Sequence, residues 1–460
     1  MQQTLSKEIF RAYDIRGIVD ETLTQEDTYK IGRAFCEMLR QHDQYKVILA
    51  RDGRLSSPQL HAVLLQSLLD SGCDVIDIGI VPTPVLYFAT FVLGCSNGVM
   101  LTASHNPANY NGFKMMINNL PLLPEAIQEI YSLAQKTFEI REVKGKLTSN
   151  DILKEYERDI CESIKLSKPL KIAIDCANGV ASVIAPFLLR QLGCEVIELF
   201  CTLDGRFPNH APDPSEIENL ESLIHAVKEH QCDVGFAFDG DGDRVMVVDE
   251  KGKLIFPDYL LMLFATSLKE KYPALKVIHD VKCTRYLSDV IHKQGGQALM
   301  CRTGHSFMKI KMREEHAQIG GEASGHLFWK DRWYGVDDGL YTAARLLEVL
   351  SQASESLSSL MSHYPRGVET PEYKLPMDEN KKNSFMKQLM QQADFPGATR
   401  ITLDGLRVEF PFGWGLVRVS NTSPYMTFRF EADTKKELDH IVDLFRVALL
   451  NIDKTLVLPF

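Results

Sequence analysis

The 460-residue sequence lacks the features that mark several large classes of protein. Its ten cysteines include no C-x-x-C pair, which argues against a metal or redox cluster, and a chain of this length does not need disulfides. The most apolar stretch, 74–94, is interrupted by Asp77, Pro82 and Pro84, whereas a membrane span needs about 20 mostly apolar residues. The first ten residues, MQQTLSKEIF, contain no apolar segment typical of a signal peptide. We therefore expect a soluble, cytoplasmic protein that binds no membrane.

Positive charge is also in short supply. The chain has 51 Lys and Arg against 61 Asp and Glu, which gives a formal net charge of −10. A surface of that sign does not attract nucleic acid, so we expect no nucleic-acid partner. If the substrate is itself an anion, a local cluster of Arg, Lys and His residues must bind it against the overall field of the protein.

The length of the chain indicates several domains. At about 100–200 residues per domain, 460 residues make three or four. Apolar residues amount to 45% and charged residues to 24%, which is typical of globular proteins with sizeable cores.

Strand and helix patterns alternate along most of the sequence. Residues 46–103 read as strand, helix, strand, helix, strand, which predicts a parallel sheet covered by helices. The pattern restarts after the polar stretch 141–150, with a helix predicted over 181–192 and another over 215–229, and it restarts again at Phe256. The last 95 or so residues predict strands, a hairpin and a C-terminal helix instead.

These restarts predict the fold class and its division. We expect three similar α/β domains with mixed, mostly parallel sheets plus a C-terminal α+β domain, arranged around a central cleft. The predicted ranges are 1–150, 151–252, 253–365 and 366–460. A cleft between domains is a usual place for a ligand site.

The segment DGDGDR, residues 239–244, is the densest chemical signal in the sequence. Asp239, Asp241 and Asp243 alternate with glycines directly after a buried strand, so the carboxylates can converge and their mutual repulsion favours a bound cation. A set of oxygen ligands indicates Mg²⁺ or another hard ion. A solvated acidic turn is the plain alternative; an EF-hand loop is excluded because Arg244 occupies the position where that loop needs glycine.

A second signal is the segment TASHNP, which follows the strand GVML. Ser104 lies on a loop at a strand end, where a hydroxyl can act as a nucleophile or a phosphoryl carrier. By itself the segment would more often be an Asn-Pro turn with a capping serine. Ten residues further on, Lys114 can act as a proton donor or clamp a phosphate, or it can simply lie in solvent.

Together the motifs resemble one family. TASHNPANYNGFK resembles the phosphoserine loop of the α-D-phosphohexomutase superfamily, and DGDGDR resembles its magnesium loop. GEASGH (321–326) is similar to the sugar-recognition loop, RVSNTSP (418–424) to the phosphate-binding loop, and FRAYDIRG (10–17) to the N-terminal motif. The four loop motifs, which follow one another in this order along the chain, are highly specific together. The YDIRG segment points to the bacterial phosphomannomutase/phosphoglucomutase branch.

The resemblance implies an enzyme that interconverts hexose 1-phosphate and hexose 6-phosphate. Ser104 would be phosphorylated at rest, and Mg²⁺ would be held by Ser104, Asp239, Asp241 and Asp243. Arg244 would offset charge on the moving phosphoryl group. A hexose 1,6-bisphosphate would be the intermediate and activator. The sequence leaves the choice between mannose and glucose open.

The resemblance also implies the groups that bind the phosphosugar and move protons. The proton-transfer candidates are Lys114, His326 and His305. The substrate-binding candidates are Tyr13, Arg16, Lys282, Glu322, Ser324, His326, Arg418, Ser420, Asn421 and Thr422. We expect a monomer. Two alternatives stay open: a metal-dependent phosphatase that uses the same serine, and a phosphosugar-binding module without turnover.

Overall fold

The computed structural model describes residues 5–137, 142–420 and 425–460. They form four β-sheets, each with its own helices, and we call these the first, second, third and fourth units in chain order. Within the described residues, no helix combines the length and the apolar character needed to cross a lipid bilayer.

The first unit contains a seven-stranded sheet in the order β1-β5-β4-β2-β3-β7, with β6 paired to β5. Its strands are β1 (Ile15–Ile18), β2 (Lys46–Arg51), β3 (Asp74–Ile80), β4 (Gly98–Leu101), β5 (Tyr110–Ile117), β6 (Leu120–Pro121) and β7 (Leu147–Ser149). Its helices are a 3₁₀ turn (Lys7–Ile9), α1 (Gln25–Gln41), α2 (Ser57–Asp70), α3 (Thr83–Val92) and α4 (Pro124–Ala134). Strands β4, β2, β3 and β7 are parallel, whereas β1 and β5 run antiparallel to their neighbours.

The second and third units each have a five-stranded sheet with both parallel and antiparallel pairs, in the orders β12-β11-β10-β8-β9 and β14-β13-β15-β16-β17. The second unit comprises α5 (Leu153–Ser163), β8 (Lys171–Asp175), a 3₁₀ turn (Val180–Val183), α6 (Ala185–Gln191), β9 (Glu195–Leu199), a 3₁₀ turn (Ile217–Leu220), α7 (Glu221–Glu229), β10 (Val234–Phe238), β11 (Val245–Asp249) and β12 (Leu254–Ile255). The third comprises α8 (Pro257–Leu268), β13 (Lys276–Asp280), α9 (Arg285–Lys293), β14 (Gln297–Cys301), α10 (His305–Glu315), β15 (Ile319–Gly321), β16 (Leu327–Trp329), β17 (Val336–Asp337), α11 (Gly339–Gln352) and α12 (Leu357–Ser362).

The fourth unit has a sheet whose strand pairs are all antiparallel, in the order β18-β23-β22-β21-β20 with β19 on β23. Its elements are β18 (Val368–Glu369), β19 (Tyr373–Pro376), α13 (Glu379–Gln392), β20 (Thr399–Ile401), β21 (Leu406–Phe410), β22 (Gly413–Val419), β23 (Tyr425–Ala432) and α14 (Lys435–Ile452).

The hydrophobic cores divide the molecule unevenly. One continuous core runs through the first three units, where Phe88 of α3 lies in contact range of Tyr156 of α5 and stacks on Trp333. The fourth unit has a separate core, which includes Phe430 and Phe445. Because burial of apolar surface is the main stabilising term, the first three units form one body, and the fourth is attached by a much smaller apolar cluster.

These sheets confirm the predicted fold class of three mixed α/β units followed by an α+β unit. Two predicted helices differ in detail. The stretch 181–192 contains a 3₁₀ turn before α6, because Pro186 can start a helix but cannot continue one. The helix predicted over 215–229 is α7 from Glu221, preceded by a 3₁₀ turn. The four domain ranges themselves stay a prediction.

Candidate active site

A cavity of about 230 Å³ lies where the four units meet. Loops from every unit line it, and most of the polar side chains that the sequence singled out are among them. The lining residues that the sequence predicted are Tyr13, Arg16, Ser104, Lys114, Arg244, Lys282, His305, Glu322, Ser324, His326, Arg418 and Ser420. Asn421 and Thr422 lie outside the described residues.

Ser104 stands on the loop between β4 and β5 in a strained conformation. Its φ is +50°, in the left-handed region that a non-glycine residue seldom adopts. The hydroxyl of Thr102 accepts a hydrogen bond from the Ser104 amide at 2.9 Å. The buried guanidinium of Arg54 donates to the Ser104 carbonyl at 2.8 Å and to those of Asn106, Pro107 and Tyr110. The surrounding fold therefore holds the strained serine in place.

The aspartate loop follows β10 and approaches the serine loop closely. A Cβ atom at Gly240 would lie 2.3 Å from the Ser104 carbonyl oxygen, so only glycine allows this approach. Thr83 of the first unit donates to Asp241 through both its amide, at 2.9 Å, and its hydroxyl, at 2.5 Å. The Val245 amide donates to the carbonyl of Gly325 in the third unit. Three units thus fix the loop.

The two loops meet at a side-chain contact. The Ser104 hydroxyl donates to Asp239 Oδ2 at 2.9 Å, although the two residues are 135 positions apart. Arg244 Nε lies 3.0 Å from the same carboxylate oxygen. Lys114 Nζ bridges the other two aspartates, at 2.6 Å from Asp241 and 2.5 Å from Asp243. The serine therefore sits beside three carboxylates and two cations in a buried setting.

Burial sets the protonation of these groups. Burial, together with the charges of Asp241 and Asp243, raises the pKa of Asp239 to about 7 in spite of Arg244. Burial disfavours the ammonium form of Lys114, but Asp241 and Asp243 outweigh it and raise the pKa of Lys114. The carboxylates therefore repel one another strongly enough to need close positive charge.

The three aspartates also fit a divalent cation. One oxygen from each lies within 4.8 Å of the others, and all three residues are fully buried. Within the described part of the chain, Asp241 Oδ1 is buried and has no hydrogen-bond partner, so it remains free to coordinate an ion. Carboxylate oxygens are ligands that suit Mg²⁺.

Two histidines and Glu322 form the wall contributed by the third unit. His326 lies 3.3 Å from Asp243 and 3.1 Å from Glu322; burial lowers its pKa, but these carboxylates outweigh burial and raise it to about 10. Ser324 Oγ is 3.1 Å from His326 Nδ1. Burial, with help from the Lys309 charge, holds the pKa of His305 well below its usual value.

The remaining predicted residues lie at the entrance shared with the fourth unit. Lys282 forms an ion pair of 3.2 Å with Glu372, and Arg418 one of 3.1 Å with Asp404. Arg16 bonds Asp14 and donates to the Asn106 side chain at 2.6 Å, which ties it to the serine loop. Tyr13 meets the His305 ring edge to face.

Sequence reasoning missed several groups. Arg54, Thr83 and Asp213 contact the motif residues, and Lys309 with Asp337 lies behind the two histidines. His105, inside the quoted motif, lies 3.2 Å from the Ser104 hydroxyl. Arg54 alone had a local signal, because its turn follows a buried parallel strand, where functional groups gather. The other residues come from separate elements and form no spacing pattern with the motifs.

Four family descriptions match the chain in order. They are phosphoglucomutase/phosphomannomutase alpha/beta/alpha domain I over residues 7–141, domain II over 152–252, domain III over 256–366, and the C-terminal domain over 372–447.

Similar proteins are known in several bacteria. A phosphomannomutase/phosphoglucomutase of Pseudomonas putida is 49% identical over 99% of this chain and 98% of its own length. A phosphoglucomutase of Neisseria meningitidis is 47% identical over 99% of both chains. The crystal structure of a phosphoglucomutase/phosphomannomutase family protein from Burkholderia thailandensis is 44% identical, covers 99% of this chain and 100% of its own, and superposes with a TM-score of 0.94.

Proposed function

We propose, from the premise that the chain belongs to the phosphoglucomutase/phosphomannomutase family and is a hexose-phosphate mutase, that Ser104 carries the transferred phosphoryl group. The substrates would be hexose 1-phosphate and hexose 6-phosphate of mannose, glucose or both. A hexose 1,6-bisphosphate would be the intermediate.

The contact between Ser104 and Asp239 carries this proposal. The buried Ser104 hydroxyl lies 2.9 Å from Asp239, beside two further aspartates and close to Lys114 and Arg244. Burying so many charged groups costs a large desolvation free energy, which a purely structural loop would not require. A phosphate ester on Ser104 would find cationic partners at once in Arg244 and Lys114.

The chemistry at Ser104 is two opposite phosphoryl transfers. In the first, the bond between phosphorus and the serine oxygen breaks while a bond forms from phosphorus to the free sugar hydroxyl. The hydroxyl proton leaves to a nearby base, and the serine oxygen regains a proton. In the second, the other phosphate of the bisphosphate returns to Ser104, which regenerates the phosphoenzyme. Lys114, His326 and His305 line the cavity as the candidates for these proton movements.

Positive charge close to Ser104 supports the transfer itself. Phosphoryl transfer depends mostly on positioning and on offsetting the charge of the phosphoryl oxygens. The Arg244 side chain is nearly fully buried and its Nη2 nitrogen makes no hydrogen bond within the described residues, so it can donate to a phosphoryl oxygen. A Mg²⁺ ion held by Asp239, Asp241, Asp243 and Ser104 would supply further charge neutralisation at this point.

The rest of the cavity suits a phosphosugar. Glu322 and Ser324 would accept hydrogen bonds from sugar hydroxyls, and Arg418 with Lys282 and Ser420 would bind the phosphate at the far end of the sugar. The intermediate must turn around between the two transfers. The far phosphate site must therefore accept either end of the sugar.

The packing of the fourth unit supports such a reorientation. Its main core is separate from the core of the first three units, and the apolar cluster of Val281, Trp414 and Leu416 that joins them is small, so a shift of the fourth unit would disturb few apolar contacts. The link 364–371, which joins it to the third unit, would act as the hinge. The exposed ion pair between Lys374 and Glu216 joins the fourth unit to the second at 2.7 Å, and such surface pairs contribute little stability.

Intact mass measurement with peptide mapping tests the role of Ser104. The purified protein, incubated with a hexose 1,6-bisphosphate, should gain one phosphate on the peptide that contains Ser104. Ser104→Ala should lose both that phosphate and the mutase activity. Ser132→Ala is a matched control, because Ser132 is exposed on α4 and its hydroxyl donates a hydrogen bond to the Gln128 carbonyl of the same helix. Full mutase activity in Ser104→Ala would refute the proposal.

The same samples separate a mutase from a phosphatase. Conversion of mannose 1-phosphate to mannose 6-phosphate without release of inorganic phosphate is the expected result. Stoichiometric phosphate release would show that water, and not the sugar, takes the phosphoryl group.

A further inference from the structure

A second cavity, of about 400 Å³, lies between the first and third units. Its walls come from the end of α3, the β5–β6 turn, α10 and the β16–β17 loop. Within the described residues it shares no lining residue with the candidate active site. Its volume falls in the range of about 300–1,000 Å³ that is typical of small-molecule sites.

The charge of this second cavity contrasts with that of the protein. Lys309, Arg313, His316 and Lys330 line it, and none of the described lining residues is acidic. The chain as a whole is acidic, with a net charge of −10. The cavity is therefore a local basic site in an acidic molecule, which favours an anionic ligand.

Two of these cations have no partner in the described part of the chain. The side chains of Arg313 and Lys330 are exposed and make no ion pair or hydrogen bond there. Lys282 at the entrance of the candidate active site, by contrast, is paired with Glu372. An unpaired guanidinium and an unpaired ammonium that line one cavity can bind phosphate oxygens without first breaking an internal ion pair.

The buried Lys309, which lines this cavity, also contacts the candidate active site. Its Nζ lies 2.6 Å from Asp337 and 3.3 Å from His305 Nδ1, so it faces the active-site histidine from behind. Lys309 also lies over the ring of Tyr87, 3.6 Å from its centroid. The second cavity is thus one side chain away from the first.

The rest of the lining is apolar and aromatic. Phe91 and Tyr334 stack with ring centroids 4.9 Å apart on one side, and Leu120 and Met312 also contribute. The side-chain oxygen of Asn119, in the β5–β6 turn, is buried and has no hydrogen-bond partner among the described residues. A flat, partly apolar ring that carries hydrogen-bond donors would satisfy both features.

We infer that this second cavity binds a nucleoside diphosphate, with its phosphates on Arg313 and Lys330 and its base against Phe91, Tyr334 and Asn119. The unpaired cations match the diphosphate of such a ligand, and the aromatic rings with the unsatisfied amide oxygen match its base. The ligand would be held by the first and third units together.

Calorimetric titration with GDP and UDP, in the presence of saturating hexose phosphate, tests the site. The hexose phosphate occupies the active site, so binding that persists belongs elsewhere. We expect at least one of the two nucleotides to bind. Inorganic phosphate and the free nucleoside should each bind at least about tenfold more weakly than that nucleotide. The Arg313→Ala, Lys330→Ala double variant should weaken nucleotide binding about tenfold or more, because two charge-assisted contacts are lost.

A charge-matched control distinguishes the site from general electrostatic attraction. Lys269→Ala with Lys293→Ala removes two exposed lysines from the same unit away from the cavity, and it should leave the nucleotide affinity unchanged. Mutase activity without nucleotide should be normal in both double variants, which shows that they fold. Three results would each overturn the inference. They are no nucleotide binding at millimolar concentration, the same nucleotide affinity in the Arg313→Ala, Lys330→Ala variant as in the unsubstituted protein, and loss of nucleotide binding when hexose phosphate is present. If inorganic phosphate bound as tightly as the nucleotide, the inference that the cavity also binds the base would be wrong.

Discussion

Arg54 provides the sharpest test of how the fold holds the serine loop. Its guanidinium is nearly fully buried and donates to four carbonyl oxygens of that loop, those of Ser104, Asn106, Pro107 and Tyr110, over distances of 2.5–3.1 Å. Its Nε also lies 3.1 Å from Asp52, which is buried too. Among the described residues, no other side chain donates as many hydrogen bonds to the backbone of this loop.

The structure sets the size of the expected effect. Arg54→Ala leaves the Asp52 carboxylate without its buried partner, which typically costs about 3–5 kcal/mol of the free energy of unfolding. Arg54→Lys keeps the charge, but an ammonium cannot reach all four carbonyls. Losing two of these bonds should cost roughly 3 kcal/mol. A loop displaced by about 1 Å should also lower kcat about 100-fold.

Urea denaturation and steady-state mutase kinetics measure the two effects separately. Kinetics should be recorded at a temperature well below the unfolding transition of each variant, so that a lower kcat reports loop geometry and not unfolding. Arg51→Lys is the matched control: Arg51 is the last residue of β2, directly before the turn that holds Arg54. It is partly exposed and donates one long hydrogen bond of 3.4 Å to the Asp52 carbonyl. Normal stability and kcat in Arg54→Lys would refute the reasoning.

Three further expectations concern other parts of the molecule. In Gly240→Ala the new Cβ would lie 2.3 Å from the Ser104 carbonyl oxygen, so we expect kcat to fall about 100-fold with unchanged circular dichroism; full activity would contradict the close approach. Burial lowers the pKa of His279 to about 4. The unfolded chain therefore takes up a proton below about pH 6.5 that the folded chain does not, and stability should fall by about 2 kcal/mol between pH 7 and pH 5 on this account. Urea denaturation at the two pH values should show that the free energy of unfolding of His279→Gln falls by about 2 kcal/mol less than that of the unsubstituted protein. An equal fall in both proteins would show that His279 is not the source of the pH dependence. Finally, treatment with EDTA should abolish mutase activity and added Mg²⁺ should restore it; activity that survives exhaustive chelation would argue against a metal on Asp239, Asp241 and Asp243.

Much of the fold could be read from the sequence because its signals are local. A buried run followed by a glycine turn and an amphipathic stretch gives strand and helix with little ambiguity, as in 46–70. The short strands β15, β16 and β17 had no such signal. Each has only two or three residues, and each is a strand only because of its pairing partner.

The candidate site also contains some residues that the sequence could indicate and others that it could not. Ser104, Lys114 and the three aspartates stand in dense motifs at strand ends, so their importance could be inferred from the chain itself. Their functional roles stay a prediction. Arg54, Thr83 and Lys309 could not be assigned, because each acts through a contact with a residue far away in the sequence.

The sequence by itself determined which chemical groups the protein has and on which loops they stand, because strand ends, glycine turns and clustered charges are properties of short segments. Only the tertiary structure decided which of those groups meet. The Ser104 hydroxyl lies against Asp239, 135 residues away, because the first and second units share one packed core. Arg54, from a separate turn of the first unit, fixes the backbone of the serine loop. Burial then sets protonation, as in the raised pKa of Asp239, and burial is a property of the whole fold.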